Sequence, residues 1–194
     1  LNIFLKMENL ALSGSFKIRG ATNALLTADQ DVLKKNGVVA ASAGNHAQGI
    51  ARTANDLGVK ATIFMPKQAP LVKVEKTKNL GAQVIQTGNS YDEAEAAAME
   101  WNKTHKAVFV HPFSNDKVIA GQGTAGLEIL DELPDVGAVI VPIGGGGLIS
   151  GVACAIKESR PETLIIGVQC KLFNSITKKF HSNLLLILMD TQKI

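Results

Sequence analysis

The sequence predicts an α/β fold built on a mostly parallel β-sheet. Two observations indicate it: short apolar runs alternate with helical hydrophobic periodicity along most of the chain, and small polar or glycine-rich turns separate the two kinds of segment. A repeating order of strand, turn and helix is typical of parallel strands joined by crossover helices. The chain has 194 residues, of which 46% are hydrophobic, and this content can fill a substantial core.

The predicted elements follow one another in this order. Strand-like runs lie at residues 3–6, 38–41, 61–65, 83–86, 107–110, 138–143 and 164–168. Helical patterns lie at residues 18–26, 47–57, 71–80, 91–105, 121–133 and 148–157. Ser90 followed by Glu93 is the pattern of a capping box, so a helix is expected to begin there.

The apolar run at residues 184–189 is a separate case. A membrane span needs about 20 apolar residues, so this run predicts a core strand or a packed segment instead. A substitute edge strand is one hypothesis for it, and a disrupted tail is the second.

The first candidate loop contains Lys17. It follows Ser13-Gly14-Ser15-Phe16 and stands at the start of a predicted helix, so its amine is a candidate for covalent catalysis. A lysine in such a segment is also commonly a solvated surface cation. The segment alone leaves both interpretations open.

The second candidate loop, residues 42–49, lies between a predicted strand and a predicted helix. A helix N-terminus preceded by small residues offers unpaired backbone N–H groups and a partial positive charge, so it can hold a carboxylate or a phosphate. The competing interpretation is an ordinary connection in which Ser42 or Asn45 caps the helix.

The third candidate loop is Gly144-Gly145-Gly146-Gly147, between a strand-like run and a helical pattern. Outside such flanks, four glycines would indicate a flexible linker. Glycine lacks Cβ, so the backbone amides can curl around an anion while the following helix adds its dipole. The loop is therefore predicted to cradle a phosphate.

Two common phosphate patterns fail at this loop. No Lys-Ser or Lys-Thr follows the glycines, which excludes the nucleoside-triphosphate loop. The dinucleotide pattern would place its third glycine at Ile149 or Ser150, and Gln169 stands where a ribose-binding acid is expected. A phosphate compound that also needs a lysine amine is pyridoxal phosphate, which is held as a Schiff base.

Taken together, five segments resemble the pyridoxal-phosphate enzymes of the tryptophan-synthase-β fold, and among them the catabolic threonine dehydratases and the serine racemases. The segments are residues 4–9, 13–20, 42–49, 118–124 and 141–148. The resemblance covers residues 1 to about 169 and implies fold type II, with two open, mostly parallel, three-layer αβα domains.

The resemblance also implies the domain bounds. Residues 1–13 and 113–194 would form a large domain whose C-terminal part is missing, and residues 14–112 would form a small inserted domain. Relatives begin before Leu1 and continue beyond residue 194, so the chain is expected to be truncated at both ends.

By resemblance, Lys17 is the Schiff-base lysine and the base that removes the Cα proton. Asn45 would hydrogen-bond the phenolic oxygen of the cofactor, and Phe16 would pack beside its ring, although a plain core role for Phe16 is equally open. The residues matching the phosphate loop are Gly144, Gly145, Gly146, Gly147 and Leu148. The residues matching the loop for the substrate carboxylate are Ser42, Ala43, Gly44, Asn45 and His46.

The activity that the resemblance implies is α,β-elimination on L-threonine and L-serine, which gives a 2-oxo acid and ammonia. Serine racemase is the rival activity, but racemisation needs an acid or base where Ala43 stands, and alanine exchanges no proton. A catalytically silent fragment and a nonspecific anion-binding domain stay open as well. A β-replacement enzyme of the same fold is disfavoured, because such enzymes have Asn where Ile18 follows the lysine.

Amino-acid composition and residue spacing argue against several other classes of function. A net charge of +3 with dispersed basic residues argues against nucleic-acid binding, and no membrane partner is expected. Cys154 and Cys170 have no paired spacing, as expected for reduced thiols in a cytoplasmic protein. The histidines, at positions 46, 105, 111 and 181, lack ligand spacing, so no metal site is expected. The expected partners are a small amino-acid substrate and a second copy in a possible homodimer.

Overall fold

The computed structural model describes residues 2–170 and the backbone of Leu185–Met189. Within these residues helices alternate with strands, and every strand pair is parallel, which confirms the predicted α/β class. The chain divides into two compact units, Leu1–Gly121 and Gln122–Ile194, each with its own sheet.

The first unit is a three-layer αβα arrangement. Its strands, in the spatial order β3-β2-β1-β4, are β1 (Val38–Ala41), β2 (Ala61–Met65), β3 (Gln83–Gln86) and β4 (Val108–Phe109). Its helices are α1 (Lys17–Leu26), α2 (Gln30–Asn36), α3 (Asn45–Asp56), α4 (Leu71–Asn79) and α5 (Tyr91–His105), and a short 3₁₀ helix covers Glu8–Leu10.

Strands β1 and β2 are buried on both faces, as parallel central strands require. Alternate residues point to opposite sides of the sheet. On one side Ile63 packs in a core cluster with Leu25 of α1 and Ile50 of α3, whereas Phe64 packs on the opposite side with Ala98 of α5. Helices therefore cover both faces, and the loops after the strands emerge at one edge.

The second unit has a three-stranded parallel sheet in the order β5-β6-β7. Its elements are β5 (Ala138–Pro142), α7 (Gly147–Ser159), β6 (Leu164–Cys170) and β7 (Leu185–Met189), and helix α6 (Asp116–Glu132) runs across the boundary between the units. Val139 and Val141 of β5 pack with Val152 and Ile156 of α7 in its core. Strand β5 alternates between buried and exposed residues, so only one of its faces is covered within the described residues.

Three predictions about elements are corrected. Residues 3–6 form no strand, and the side chain of Leu5 is 78% exposed, because no strand of the described residues provides a ladder partner for this segment. Helix α2 is absent from the predicted elements, although Asp29 caps it by accepting from the N–H groups of Asp31 and Val32. Helix α6 begins at Asp116, ahead of the predicted residue 121.

Two predictions about local features are confirmed. The run at residues 184–189 contains strand β7, which pairs in parallel with β6 and stands last in the sheet of the described residues, as the prediction of a core strand required. Ser90 caps α5, because its Oγ accepts from the N–H of Glu93 at 3.2 Å. The return bond of the capping box reaches one residue further back, since the Glu93 carboxylate accepts from the N–H of Asn89 at 2.8 Å.

Candidate active site

Lys17 is the first residue of α1, and its side chain is half-buried rather than solvated. The ammonium Nζ donates a hydrogen bond to the carbonyl oxygen of Pro112 at 2.6 Å and lies 5.4 Å from the centroid of the Phe16 ring. Burial lowers the pKa of the Lys17 amine below its ordinary value. The interpretation of Lys17 as a free surface cation is therefore wrong.

Close helix packing holds the backbone of Lys17. A Cβ added to Gly49 of α3 would come within 3.2 Å of the carbonyl carbon and oxygen of Lys17, so glycine there lets α3 approach the first turn of α1. Ala21, one turn further along α1, is fully buried in the same contact. The start of α1 thus has little freedom to shift, and the amine extends from a fixed base.

The loop after β1 leads into α3 without a side-chain cap. Helix α3 begins at Asn45 with Gly44 as the N-cap residue, and neither Ser42 nor Asn45 caps it, so the competing interpretation in which one of them caps the helix is wrong. The Ser42 Oγ instead accepts from the N–H of Gly44 at 3.1 Å. The first N–H groups of a helix have no intrahelical partner. Because no side chain caps α3, its first N–H groups are suited to bind an anion.

The side chain of His46 is buried, at 2% exposure. Its Nε2 lies 3.0 Å from the carbonyl oxygen of Val110, and because a carbonyl only accepts, Nε2 carries the proton. Its Nδ1 is buried without a hydrogen-bond partner among the described residues. Burial, with a smaller contribution from the Lys17 and His111 charges, lowers the pKa of His46 to about 4, against the raising effect of the Val110 bond, so the ring is neutral near pH 7.

Lys17 and His46 converge on one segment that sequence analysis did not predict as part of the site. The amine is held by the carbonyl of Pro112 and the imidazole by the carbonyl of Val110, just after β4. Strands β1 and β4 are neighbours in a parallel sheet, so the loops that follow them meet at its carboxyl edge. No sequence pattern predicts the contact between Pro112 and Lys17, because 95 residues separate them.

The glycine loop in the second unit joins β5 to α7 as predicted. Gly146 adopts φ 92°, a left-handed conformation that favours glycine, and no side chain caps α7. A Cβ on Gly144 would meet no atom within 4 Å, so packing among the described residues does not require glycine there. The missing Cβ leaves the backbone at this position accessible to an anion, and the first N–H groups of a helix have no intrahelical partner.

These features fit pyridoxal phosphate. Each unit, taken by itself, has one such feature: the first has a half-buried amine whose pKa is lowered, and the second has a glycine loop at a helix N-terminus. A family model described as pyridoxal-phosphate dependent enzyme matches residues 1–186 of the chain. The chain belongs to the family of pyridoxal-phosphate dependent enzymes.

Curated relatives of this pyridoxal-phosphate enzyme include proteins named as L-threonine ammonia-lyase and L-threonine dehydratase. It is 60% identical to the L-threonine ammonia-lyase of Thermotoga maritima over 167 residues, which are 86% of this chain and 41% of that protein. It is 49% identical to the L-threonine dehydratase catabolic TdcB of Staphylococcus aureus over 182 residues, which are 93% of this chain and 52% of that protein. The chain thus spans about half the length of these relatives or less.

Solved structures of similar fold include both predicted branches. Threonine deaminase isoform 2 from Solanum lycopersicum matches with a TM-score of 0.87 and 40% identity, covering 95% of this chain and 51% of that one. Serine racemase from Dictyostelium discoideum matches with a TM-score of 0.84 and 35% identity, covering 90% of this chain and 56% of that one. Family, fold type and cofactor are confirmed.

The individual roles of the site residues and the domain bounds at 14–112 stay predictions. A cavity of about 480 Å³, lined by residues that include Met99, Lys103 and Phe109, contains none of the predicted site residues. Among the described residues, no helix has the length and apolar character needed to cross a membrane.

Proposed function

We propose that this protein is an L-threonine ammonia-lyase that also accepts L-serine and releases a 2-oxo acid and ammonia. The observation that carries the proposal is the half-buried amine of Lys17, held by Pro112 beside the uncapped start of α3. The curated relatives named for threonine deamination, at 60% and 49% identity, support the same activity.

Lys17 acts as the attachment point for the cofactor and then as the base that takes the Cα proton. Both tasks need a neutral amine, and burial favours this form by lowering the pKa. When bound, pyridoxal phosphate supplies an electron-withdrawing ring that stabilises negative charge at Cα. The hydrogen bond to Pro112 keeps Nζ in one place, so that the proton moves to a defined atom.

The two uncapped helix ends bind the two anions. The residues at the start of α3, namely Ser42, Ala43, Gly44, Asn45 and His46, receive the substrate carboxylate. The loop that opens α7, namely Gly144, Gly145, Gly146, Gly147 and Leu148, binds the cofactor phosphate through main-chain amides. The Asn45 side chain is exposed and is available to hydrogen-bond the cofactor's phenolic oxygen, while Phe16 packs beside its ring.

Serine racemase is the second candidate function, because serine racemases are among the structures of similar fold. Racemisation requires a group on the opposite side of the substrate from Lys17 that returns a proton. Ala43 has no such group, and its side chain packs against the core cluster of the first unit. The side chain at position 43 therefore favours elimination over racemisation.

The proposal is tested by adding pyridoxal phosphate and recording the absorbance near the edge of the visible range. We expect a band that Lys17→Ala abolishes, whereas Lys103→Ala, which changes an exposed lysine, retains it. Addition of L-threonine should shift the band and release ammonia with a 2-oxo acid.

Three outcomes would contradict the proposal in different ways. Formation of D-serine from L-serine without ammonia would assign the racemase function. A band without turnover would identify a catalytically silent fragment. A band that survives Lys17→Ala would overturn the assignment of the amine.

A further inference from the structure

Three side chains outside the predicted site form a chain of contacts that ends at the turn holding Lys17. The hydroxyl of Tyr91, at the start of α5, donates a hydrogen bond to Oε1 of Glu95 at 3.0 Å. The same Oε1 lies 3.4 Å from Nε2 of His111. The side chains of Glu95 and His111 are only 23% and 22% exposed, so solvent competes weakly for these contacts.

The second ring nitrogen of His111 fixes its tautomer. Nδ1 accepts from the N–H groups of Phe113 at 3.2 Å and Ser114 at 2.8 Å. Both donors are backbone amides, so Nδ1 carries no proton and the neutral ring has its proton on Nε2, facing the Glu95 carboxylate. Glu95 thereby orients the imidazole from one side while the amides orient it from the opposite side.

The imidazole of His111 stabilises the turn that presents the Pro112 carbonyl to Lys17. His111 precedes Pro112, and the two amides it accepts from follow Pro112, so the ring closes a turn around that residue. The oxygen of Pro112 is the acceptor for Nζ of Lys17. The position of this acceptor therefore depends on His111 and, through it, on Glu95 and Tyr91.

We propose that Glu95 and His111 are positioning residues for the Lys17 amine, acting through the Pro112 carbonyl, with Tyr91 as an auxiliary contact. This inference deepens the proposed function and rests on it only in taking Lys17 as the reactive amine. Neither side chain needs to touch the substrate or the cofactor in this role. The effect is carried by the 3.4 Å contact between Glu95 and His111 and by the two turn amides that donate to His111 Nδ1.

The test measures Lys17 itself, without cofactor or substrate. The protein is acetylated with trace acetic anhydride across a pH range, and peptide mass spectrometry gives the labelling rate of each lysine. Exposed Lys103 and Lys78 are internal controls in the same sample. Thermal melts accompany each variant to show that it is folded.

Two matched pairs of variants separate positioning from a general loss of structure. Glu95→Gln keeps an acceptor oxygen and Glu95→Ala removes it; His111→Asn keeps an acceptor for the turn amides and His111→Ala removes it. We expect the alanine variants to release the amine and raise the rate at Lys17 about threefold to tenfold, as expected for losing one hydrogen bond. In Glu95→Gln and His111→Asn, the labelling rate of Lys17 should stay near that of the parent protein.

The inference is overturned if folded alanine variants label Lys17 as the parent does, or if both members of a pair change equally. Tyr91→Phe removes one hydroxyl and should raise the labelling rate of Lys17 by less than the alanine variants do. If the rate is unchanged both in Tyr91→Phe and in the alanine variants, that result also counts against the proposal. Should the labelling pattern hold while no pyridoxal-phosphate band forms, the positioning role stands and the proposed function fails.

Discussion

Substituting Gly121 in α6 tests how closely the helices pack behind Lys17. A Cβ at this position would lie 2.6 Å from the carbonyl oxygen of Arg19 and from Cα of Gly20, where ordinary contacts begin at 3.4 Å. The overlap is about 0.8 Å, and most of the atoms involved are backbone, so no rotamer change relieves it. Helix α1, which begins at Lys17, must move to admit the methyl group.

The expected cost of Gly121→Ala follows from two opposing effects. Overpacking a tight contact costs about 3 kcal/mol at the upper end of its usual range, and alanine returns about 1 kcal/mol through its higher helix propensity. The net loss is about 2 kcal/mol of unfolding free energy, or a melting temperature lower by about 6 °C for a chain of this size.

The assay is thermal unfolding followed by far-ultraviolet circular dichroism. Gly137→Ala is the matched control, because a Cβ there meets no atom within 4 Å and should change stability by less than about 0.5 kcal/mol. Gly121→Ala should also alter the labelling rate of Lys17. If Gly121→Ala melts at or above the parent temperature, the close contact between α1 and α6 does not exist as described.

Three further predictions concern pH, a helix cap and the glycine loop. His46 has an ordinary pKa of 6.5 when unfolded and a pKa of about 4 when folded, so the unfolded chain binds the proton first. The contribution of His46 to stability should be constant above pH 6.5 and fall by about 3 kcal/mol as pH drops towards 4. Urea titrations across this pH range should therefore show a flatter stability profile for His46→Gln than for the parent. Asp29→Ala removes the cap of α2 and should cost about 1 kcal/mol in the same titrations, with an unchanged midpoint contradicting the capping role. Gly146→Ala forces a residue with a side chain into φ 92°, which should weaken pyridoxal-phosphate binding about fivefold in an absorbance titration. Equal affinity of the variant and the parent would contradict the role of this loop in binding the phosphate.

The sequence alone determined the elements whose pattern is local. The buried strand β1 is a continuous apolar run and β2 is one interrupted only by Thr62, while the helix that follows Ser90 begins with its own capping residue, so each was predictable within one or two residues. The same holds for the candidate loops at Lys17, Ser42 and Gly144, because each lies at a junction that the flanking pattern defines. The family and the cofactor were inferred from the resemblance of five segments, these loops among them, to known enzymes.

Tertiary structure decided what depends on residues distant in the chain. Residues 3–6 have a strand-like composition but no ladder partner among the described residues, and composition cannot supply one. The sequence assigns no role to His111 beyond its lack of metal-ligand spacing, and only folding brings it to Glu95 and places Pro112 against Lys17. The physical reason is that apolar periodicity records which face of an element is buried, whereas a hydrogen bond between segments 95 residues apart depends on the relative position of whole elements.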